Sequence, residues 1–389
     1  MTTPAPGALE RLRVANRRAV TGLLAAGPMS RADLARGTGL SRTTVSSLVS
    51  ELITTGHVTE TSDRGQPHKG GSGRPPLLVA LSTPHGGVAG VDVGHGHVRV
   101  AVADRAGVIL VEDCATVDVD AHGADTLDLA ATMVRTALHA SGLGRDDLQG
   151  VAMCVPAPLD RRRPRISSDI LRGWHDLFPG EELQRRLGVP VFVDNDANLG
   201  ALAETERGAA RGVADVVYVK VASGLGAGIV LGGRLHRGAT GIAGELGHVQ
   251  VAEDGPVCRC GHRGCLETLV SASRLLTVLQ PAYDETLDAE RVLALDEAGD
   301  DAVRRVLGEA GRTIGRALAD LCNSLNPQVL LLGGSLGTSA SLAEGVRCAI
   351  DRYAQPDTAA AVRVGAGSLG DRAEIVGAVS LALARVAQA

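Results

Sequence analysis

From Gly87 onward the chain of 389 residues is punctuated into short valine-rich runs separated by turn residues, and this patterning constrains the fold more than any other feature. GVAGVDVG, HVRVAVAD and GVILVEDCATV read as three consecutive strands. A helical segment follows, DTLDLAATMVRTALHASG, and then the strand LQGVAMCVPAP. The strand PVFVDND leads into the helix ANLGALAETERGAARG. DVVYVKVASG turns through glycines into GAGIVLGGRL, and the helix GRTIGRALADLCNSLN runs into the strand QVLLLGGSLG. Strands alternating with helices define an α/β architecture with mixed sheets. The order predicts two α/β halves whose glycine-rich loops point at a shared cleft. Residues 280–305 read as a polar helical insertion, and no repeat of solenoid scale is present.

The N-terminal segment differs in charge and in pattern. Residues 1–79 hold ten Lys/Arg against five Asp/Glu, whereas the remainder holds 29 against 39. A basic segment on an acidic body points to a nucleic-acid module. RRAVTGLLAAG ends at Gly27-Pro28, a helix stop. Ser30 opens RADLARGTG, with Asp33 as its capping-box partner. Ser41 then opens RTTVSSLVSELITTG, whose Val45, Leu48, Val49, Leu52 and Ile53 form one apolar stripe. The opposite face offers Arg42, Thr43, Thr44, Ser46, Ser47 and Ser50, small polar and basic residues suited to a recognition helix in a major groove. HVTETSDRGQPHKGGSGRPPLLVAL predicts strand, glycine-rich loop and strand, the wing of a winged helix-turn-helix. Its tip carries Arg64, Lys69 and Arg74, with Arg74 presented toward a narrow A·T-rich minor groove. The alternatives are a small helical bundle with a solvated Ser/Thr face and, for the loop, a flexible linker.

No apolar run has membrane-spanning length and the N-terminus lacks a signal-peptide pattern, so a cytoplasmic location is expected, with no membrane partner. In that compartment crowded cysteines hold metal more often than they form disulfides. VCRCGHRGCLE places three of the seven cysteines within eight residues. With His248 of AGELGHVQV, the thiols of Cys258, Cys260 and Cys265 make a closed structural zinc set. Reduced free thiols or a redox pair are the alternatives. Glu245 and Glu267 flank these residues, so the metal would set two carboxylates beside a sugar-sized pocket. DNDAN, Asp194 to Asn198, could hold a polyol at a strand-to-helix junction or simply cap the helix. Three glycine loops, DVGHGH from Asp92, ASGLGAG from Ala222 and LGGSLG from Leu332, could each face phosphate. Lys69 and Lys220 are the only lysines among 39 basic residues; the bias reads as codon usage and carries no functional reading.

Together these residues resemble the ROK family, which joins sugar-responsive repressors and sugar kinases, over nearly the whole chain from Asn16. The resemblance is most specific in GELGHVQV and CRCGHRGCLE, and implies structural zinc on His248, Cys258, Cys260 and Cys265. It implies an actin-like ATPase (ribonuclease H-like) body in two subdomains behind a winged helix-turn-helix of residues 1–80. The small subdomain would be residues 85–195 with the C-terminal helix 371–389; the large one, residues 196–370, would carry the zinc. VDNDAN resembles the family's sugar motif. Asn195 and Asp196 would bind hexose hydroxyls, with Asp196 as a vestigial general base, and Glu245, His248 and Glu267 would complete the site. His248 would face zinc with one ring nitrogen and the sugar with the other. Asp92 and Gly94, then Ser223, Gly224 and Gly226, then Gly333 and Gly334 would mark the nucleotide loops. The first loop departs from the kinase pattern D-x-G-G-[TN]-K: His95 replaces the second glycine, Gly96 loses the hydroxyl or amide, and His97 replaces the lysine. Those losses fall on stabilisation of the transferring phosphoryl group. The expectation is a repressor, a homodimer or homotetramer on an inverted-repeat operator, released by a sugar or sugar phosphate and without Mg-ATP as cofactor. The competing reading is an ATP-dependent sugar kinase with a fused DNA-binding module.

Overall fold

The computed structural model describes residues 16–17, 19–24, 27–54, 58–64, 77–81, 86–160, 165–166 and 170–388. The chain forms two compact units, Met1–His85 and Gly86–Ala389.

In the first unit, Ser30 caps the helix Arg31–Thr38 by accepting from the Asp33 N–H, as its spacing predicts. Gly39, at φ 71°, ends that helix. Ser41 Oγ accepts from the Thr44 N–H at 3.1 Å and so opens the helix Arg42–Thr54. The apolar stripe of this second helix, Val45, Leu48, Val49 and Leu52, is buried against Val20, Leu24, Leu34, Val58 and Val79. Three strands, β1 (Met29–Ser30), β2 (Val58–Arg64) and β3 (Leu77–Leu81), form an antiparallel sheet in the order β1-β3-β2. β2 and β3 are the two strands expected to flank the wing. β1 was not foreseen, because two residues are too few to show a period. Lys69 and Arg74 lie outside the described residues, as does the side chain of Arg64.

The second unit is built twice on one plan. The first sheet comprises β4 (Gly87–Val93), β5 (His97–Asp104), β6 (Ile109–Thr116), β7 (Leu148–Val155) and β8 (Val191–Asn195), in the order β6-β5-β4-β7-β8. The second comprises β9 (Val216–Val221), β10 (Leu225–Leu231), β11 (Arg234–Leu235), β12 (Val329–Gly333) and β13 (Arg363–Ala366), in the order β11-β10-β9-β12-β13. Each begins with an antiparallel three-strand meander and adds two parallel strands on the other side of the first. β4 is buried along its whole length, which explains a continuous apolar run rather than an alternating one. The helix Ala373–Val386 packs on β4 and β7 and against the helix Asp196–Glu206, which also meets β9 and β10. These two helices therefore lie between the sheets.

The reading of residues 280–305 as a polar insertion is corrected. Val292 and Val303 are fully buried in the core that surrounds β9 and β12, and Asp296 accepts from the Ser339 and Ser341 hydroxyls. The helix Asp301–Leu325 packs along Ala340–Tyr353. Within 280–305, the charged residues of the helix Ala289–Ala298 dominate the composition and hide its buried Val292. Among the described residues, no helix is long and apolar enough to cross a membrane.

Candidate functional site

The cysteine loop is shaped by its glycines. Gly264 has φ +62°, and a Cβ there would stand 1.5 Å from the Ala252 carbonyl oxygen. The turn brings the donor atoms of His248, Cys258, Cys260 and Cys265 within 4.8 Å of one another. Cys260 Sγ lies 3.7 Å from Cys265 Sγ, and Cys258 Sγ lies 3.5 Å from His248 Nδ1. A disulfide needs about 2.05 Å between sulfurs. Thiolates on a tetrahedral ion with Zn–S bonds of about 2.3 Å stand about 3.8 Å apart, so the donor set fits a metal ion of zinc's size and preference.

One cavity is lined by Asn195, Asp196, Glu245, His248 and Glu267, together with Ser223 and Gly224 of the loop between β9 and β10 and Gly226 at the start of β10. Asn195 is the N-cap of the helix Asp196–Glu206: its Oδ1 accepts from Ala197 N at 2.9 Å and Asn198 N at 3.3 Å. Glu267 Oε2 accepts from Leu225 N at 3.1 Å, which ties the metal-side carboxylate to the glycine loop. His248 turns Nδ1 to the sulfurs, while its Nε2 lies 3.6 Å from Glu245 Oε2. Burial, then the charges of Asp196 and Glu267, push the Glu245 carboxyl up to about 7. Asp194, the first acid of DNDAN, points elsewhere. Arg237 grips its Oδ2 through Nε at 2.7 Å and Nη2 at 2.6 Å, and the Asn198 amide donates to its Oδ1.

The first glycine loop is closed on itself. Asp92, buried at the end of β4, meets His97 Nε2 at 3.0 Å and accepts from the Cys154 thiol at 3.1 Å. The His97 ring folds over Gly94 so closely that a Cβ at Gly94 would stand 2.2 Å from it. His95 Nδ1 lies 2.5 Å from Asp120 Oδ1, and Arg259 Nη1 donates to Asp120 Oδ2 at 3.0 Å. His95 and Arg259 line the cavity; Asp92, Gly94, Gly333 and Gly334 do not.

Beneath Asp196 lies Lys220. Its Nζ donates to Asp196 Oδ2 at 2.9 Å and lies 3.4 Å from Glu374 Oε1. Sequence reasoning missed Lys220 as a site residue, along with Glu374, Arg237, Asp120 and Arg259. The rarity of lysine was the one available signal; the others arrive from distant segments with no local motif. In the first unit, Arg42, Thr43 and Ser47 are exposed and Thr44 and Ser46 half-buried, while Arg74 lies outside the described residues.

A winged helix-turn-helix unit and a duplicated, actin-like ATPase body with a polar cavity and a His/Cys cluster define a sugar-kinase-like protein carrying a DNA-binding module. The chain belongs to the ROK family, whose sequence profile matches residues 88–385. The xylose repressor of Bacillus spizizenii is 29% identical over 357 residues, which cover 92% of this chain and 91% of the repressor. A solved ROK family transcriptional regulator, described as a homologue of the Escherichia coli Mlc protein, superposes with a TM-score of 0.75 at 24% identity over 97% of this chain and 99% of its own. The glucokinase of Streptomyces griseus, solved with glucose and AMPPNP, matches with a TM-score of 0.66 at 27% identity, over 76% of this chain and 99% of the kinase. The repressors match nearly the full length and that kinase about three-quarters of it. The chain is accordingly a transcriptional repressor of the sugar-responsive type.

Proposed function

We propose that the first unit holds an inverted-repeat operator as part of a homodimer or homotetramer, and that a sugar or sugar phosphate binding at Asn195, Asp196, Glu245, His248 and Glu267 lowers operator affinity. The observation that carries this reading is that all five residues line one cavity, although they come from three separate places in the sequence. A zinc ion on His248, Cys258, Cys260 and Cys265 would fix the loop from which Glu245 and Glu267 reach that cavity. Arg42, Thr43, Thr44, Ser46 and Ser47 are the residues assigned to the operator, with Arg74 in the minor groove.

Phosphoryl transfer is expected to be weak or absent. The loop that should cradle phosphate spends His97 on Asp92 and His95 on Asp120. Such transfer depends chiefly on positioning and charge stabilisation around the phosphoryl group.

The test is fluorescence anisotropy on an operator selected from random-sequence DNA, titrated with xylose, glucose, N-acetylglucosamine and their phosphates. One of them is expected to weaken binding by about 5- to 150-fold, the usual range of allosteric coupling. Asp196→Ala should bind the operator normally and lose the response. A variant that responds like the wild type removes the site assignment. ADP release measured with the active sugar and Mg-ATP addresses the kinase reading: robust turnover, lost in Asp196→Ala, would make the chain a bifunctional kinase and regulator.

A further inference from the structure

Of the two lysines in this chain, one is placed against buried acids from other elements. Lys220 lies on β9, directly opposite Gly226 of β10 and Gly333 of β12. Residues paired across a sheet project to the same face, so both neighbours of the lysine on that face lack a side chain. Acids from two other elements contact the ammonium, and a third adds its charge from beyond contact distance. Asp196 comes from the start of the helix Asp196–Glu206, Glu374 from the helix Ala373–Val386, and Asp92 from the end of β4. Asp92, Asp196 and Glu374 are all buried. Their remaining partners are few: His97 and Cys154 on Asp92, the Ala197 N–H on Asp196 Oδ1, and the Tyr218 hydroxyl on Glu374. An isolated buried carboxylate is strongly disfavoured, and three together repel one another. A compact ammonium with three donors can face several acids at once; a planar guanidinium presents a fixed fork. In a chain whose other basic residues are nearly all arginine, this is the position where the difference matters.

We propose that Lys220 is a built-in cation: its ammonium neutralises the buried carboxylates of Asp92, Asp196 and Glu374, holds Asp196 as a fixed hydrogen-bond acceptor at the cavity floor, and lets that floor do without a divalent ion. Burial opposes the charge, but Asp196, Glu374 and Asp92 outweigh it and raise the Lys220 pKa well above its ordinary value. Lys220 is then a positioning residue. With Oδ1 on the Ala197 N–H and Oδ2 on Lys220, the Asp196 carboxylate is oriented from both sides. A carboxylate fixed in this way is set to accept a hydrogen bond from a hydroxyl, which suits sugar binding.

The inference does not depend on which sugar binds, and its test needs none. Full-length wild type, Lys220→Met and the double variant Lys220→Met/Glu374→Gln are unfolded thermally at pH 8. Each is run with and without 10 mM MgCl2, against NaCl of matched ionic strength. Lys220→Met is expected to lose about 5–10 °C, since it strands buried charge. Magnesium should return a substantial part of that loss while leaving the wild type unmoved, and Glu374→Gln should restore part of it without magnesium. If Lys220→Met does not fold, the double variant carries the comparison, and magnesium should raise its midpoint more than that of the wild type. Three results overturn the proposal: a Lys220→Met protein as stable as the wild type, a magnesium effect equal in wild type and variants, or no relief from Glu374→Gln.

Discussion

Glu374, 2% exposed near the start of the C-terminal helix, shows how a buried acid makes stability depend on pH. Burial raises its carboxyl to about 7; Lys220 opposes the rise, while Asp92 and Asp196 add to it. Tyr218 of β9 is the remaining titratable group against it. The unfolded chain would release that proton near 4.5, the ordinary value. Between the two values the folded state binds more protons, so this contribution to stability falls as pH rises from about 4.5 through 7. Glu374→Gln cannot ionise. It is expected to match the wild type near pH 5 and to be more stable at pH 8 by roughly 1–3 kcal/mol, read as a higher thermal midpoint. Equal midpoints at both pH values would show that the Glu374 carboxyl ionises in the folded chain as readily as in the unfolded one. At this scale the sequence was only partly legible. His248, Cys258, Cys260 and Cys265 announce themselves by spacing, because a metal loop is local. Lys220 does not, since its meaning is supplied by Asp196 and Glu374 from two distant helices.

At the level of elements, periodicity and capping carried the reading where packing is one-sided. The helix Arg42–Thr54 buries the residues its stripe assigns, and Ser41 opens it as expected. Where polar residues dominate composition, as along Ala289–Ala298, the same method took a segment that reaches the core for an insertion. Two elements lend themselves to direct tests. Arg42 is exposed at the N-terminal end of the recognition helix. Arg42→Ala is expected to weaken operator binding by about 1–3 kcal/mol if the guanidinium forks onto a base, with nonspecific DNA binding much less affected. An equal loss on both DNAs would assign it to phosphate instead. For the cysteine loop, elemental analysis is expected to find one zinc per chain. Cys258→Ser should reduce that content and blunt the sugar response, because the loop carries the approach of Glu245 and Glu267 to the cavity. Zinc-free wild-type protein with a normal response would remove the metal from the mechanism.

Across the whole second unit, the departure at His95 acquires a purpose. Arg259 stands between Cys258 and Cys260 on the cysteine loop, and it reaches Asp120, which follows β6 of the first sheet. His95 holds the other oxygen of the same carboxylate, and its backbone carbonyl accepts from Val119 N at 3.2 Å. The first glycine loop thus anchors a link from the first sheet to the cysteine loop, at the edge of the cavity. Sequence alone could mark His95 as a departure, but could not show that Asp120 and Arg259 meet it. The Arg259–Asp120 pair is partly exposed, with side chains 53% and 31% accessible, so it contributes about 0.2–1 kcal/mol. If sugar binding favours the linked arrangement, Arg259→Ala should raise the sugar concentration for half-release of the operator by up to about five-fold. Operator affinity without sugar should not change. Asp120→Ala should give a similar shift, and the double variant should add little beyond either single one, because both remove the same interaction. Anisotropy titrations of the four proteins measure all three expectations. Additive shifts would mean that the two residues act separately, and a hundred-fold loss in Arg259→Ala alone would place its guanidinium on the sugar itself.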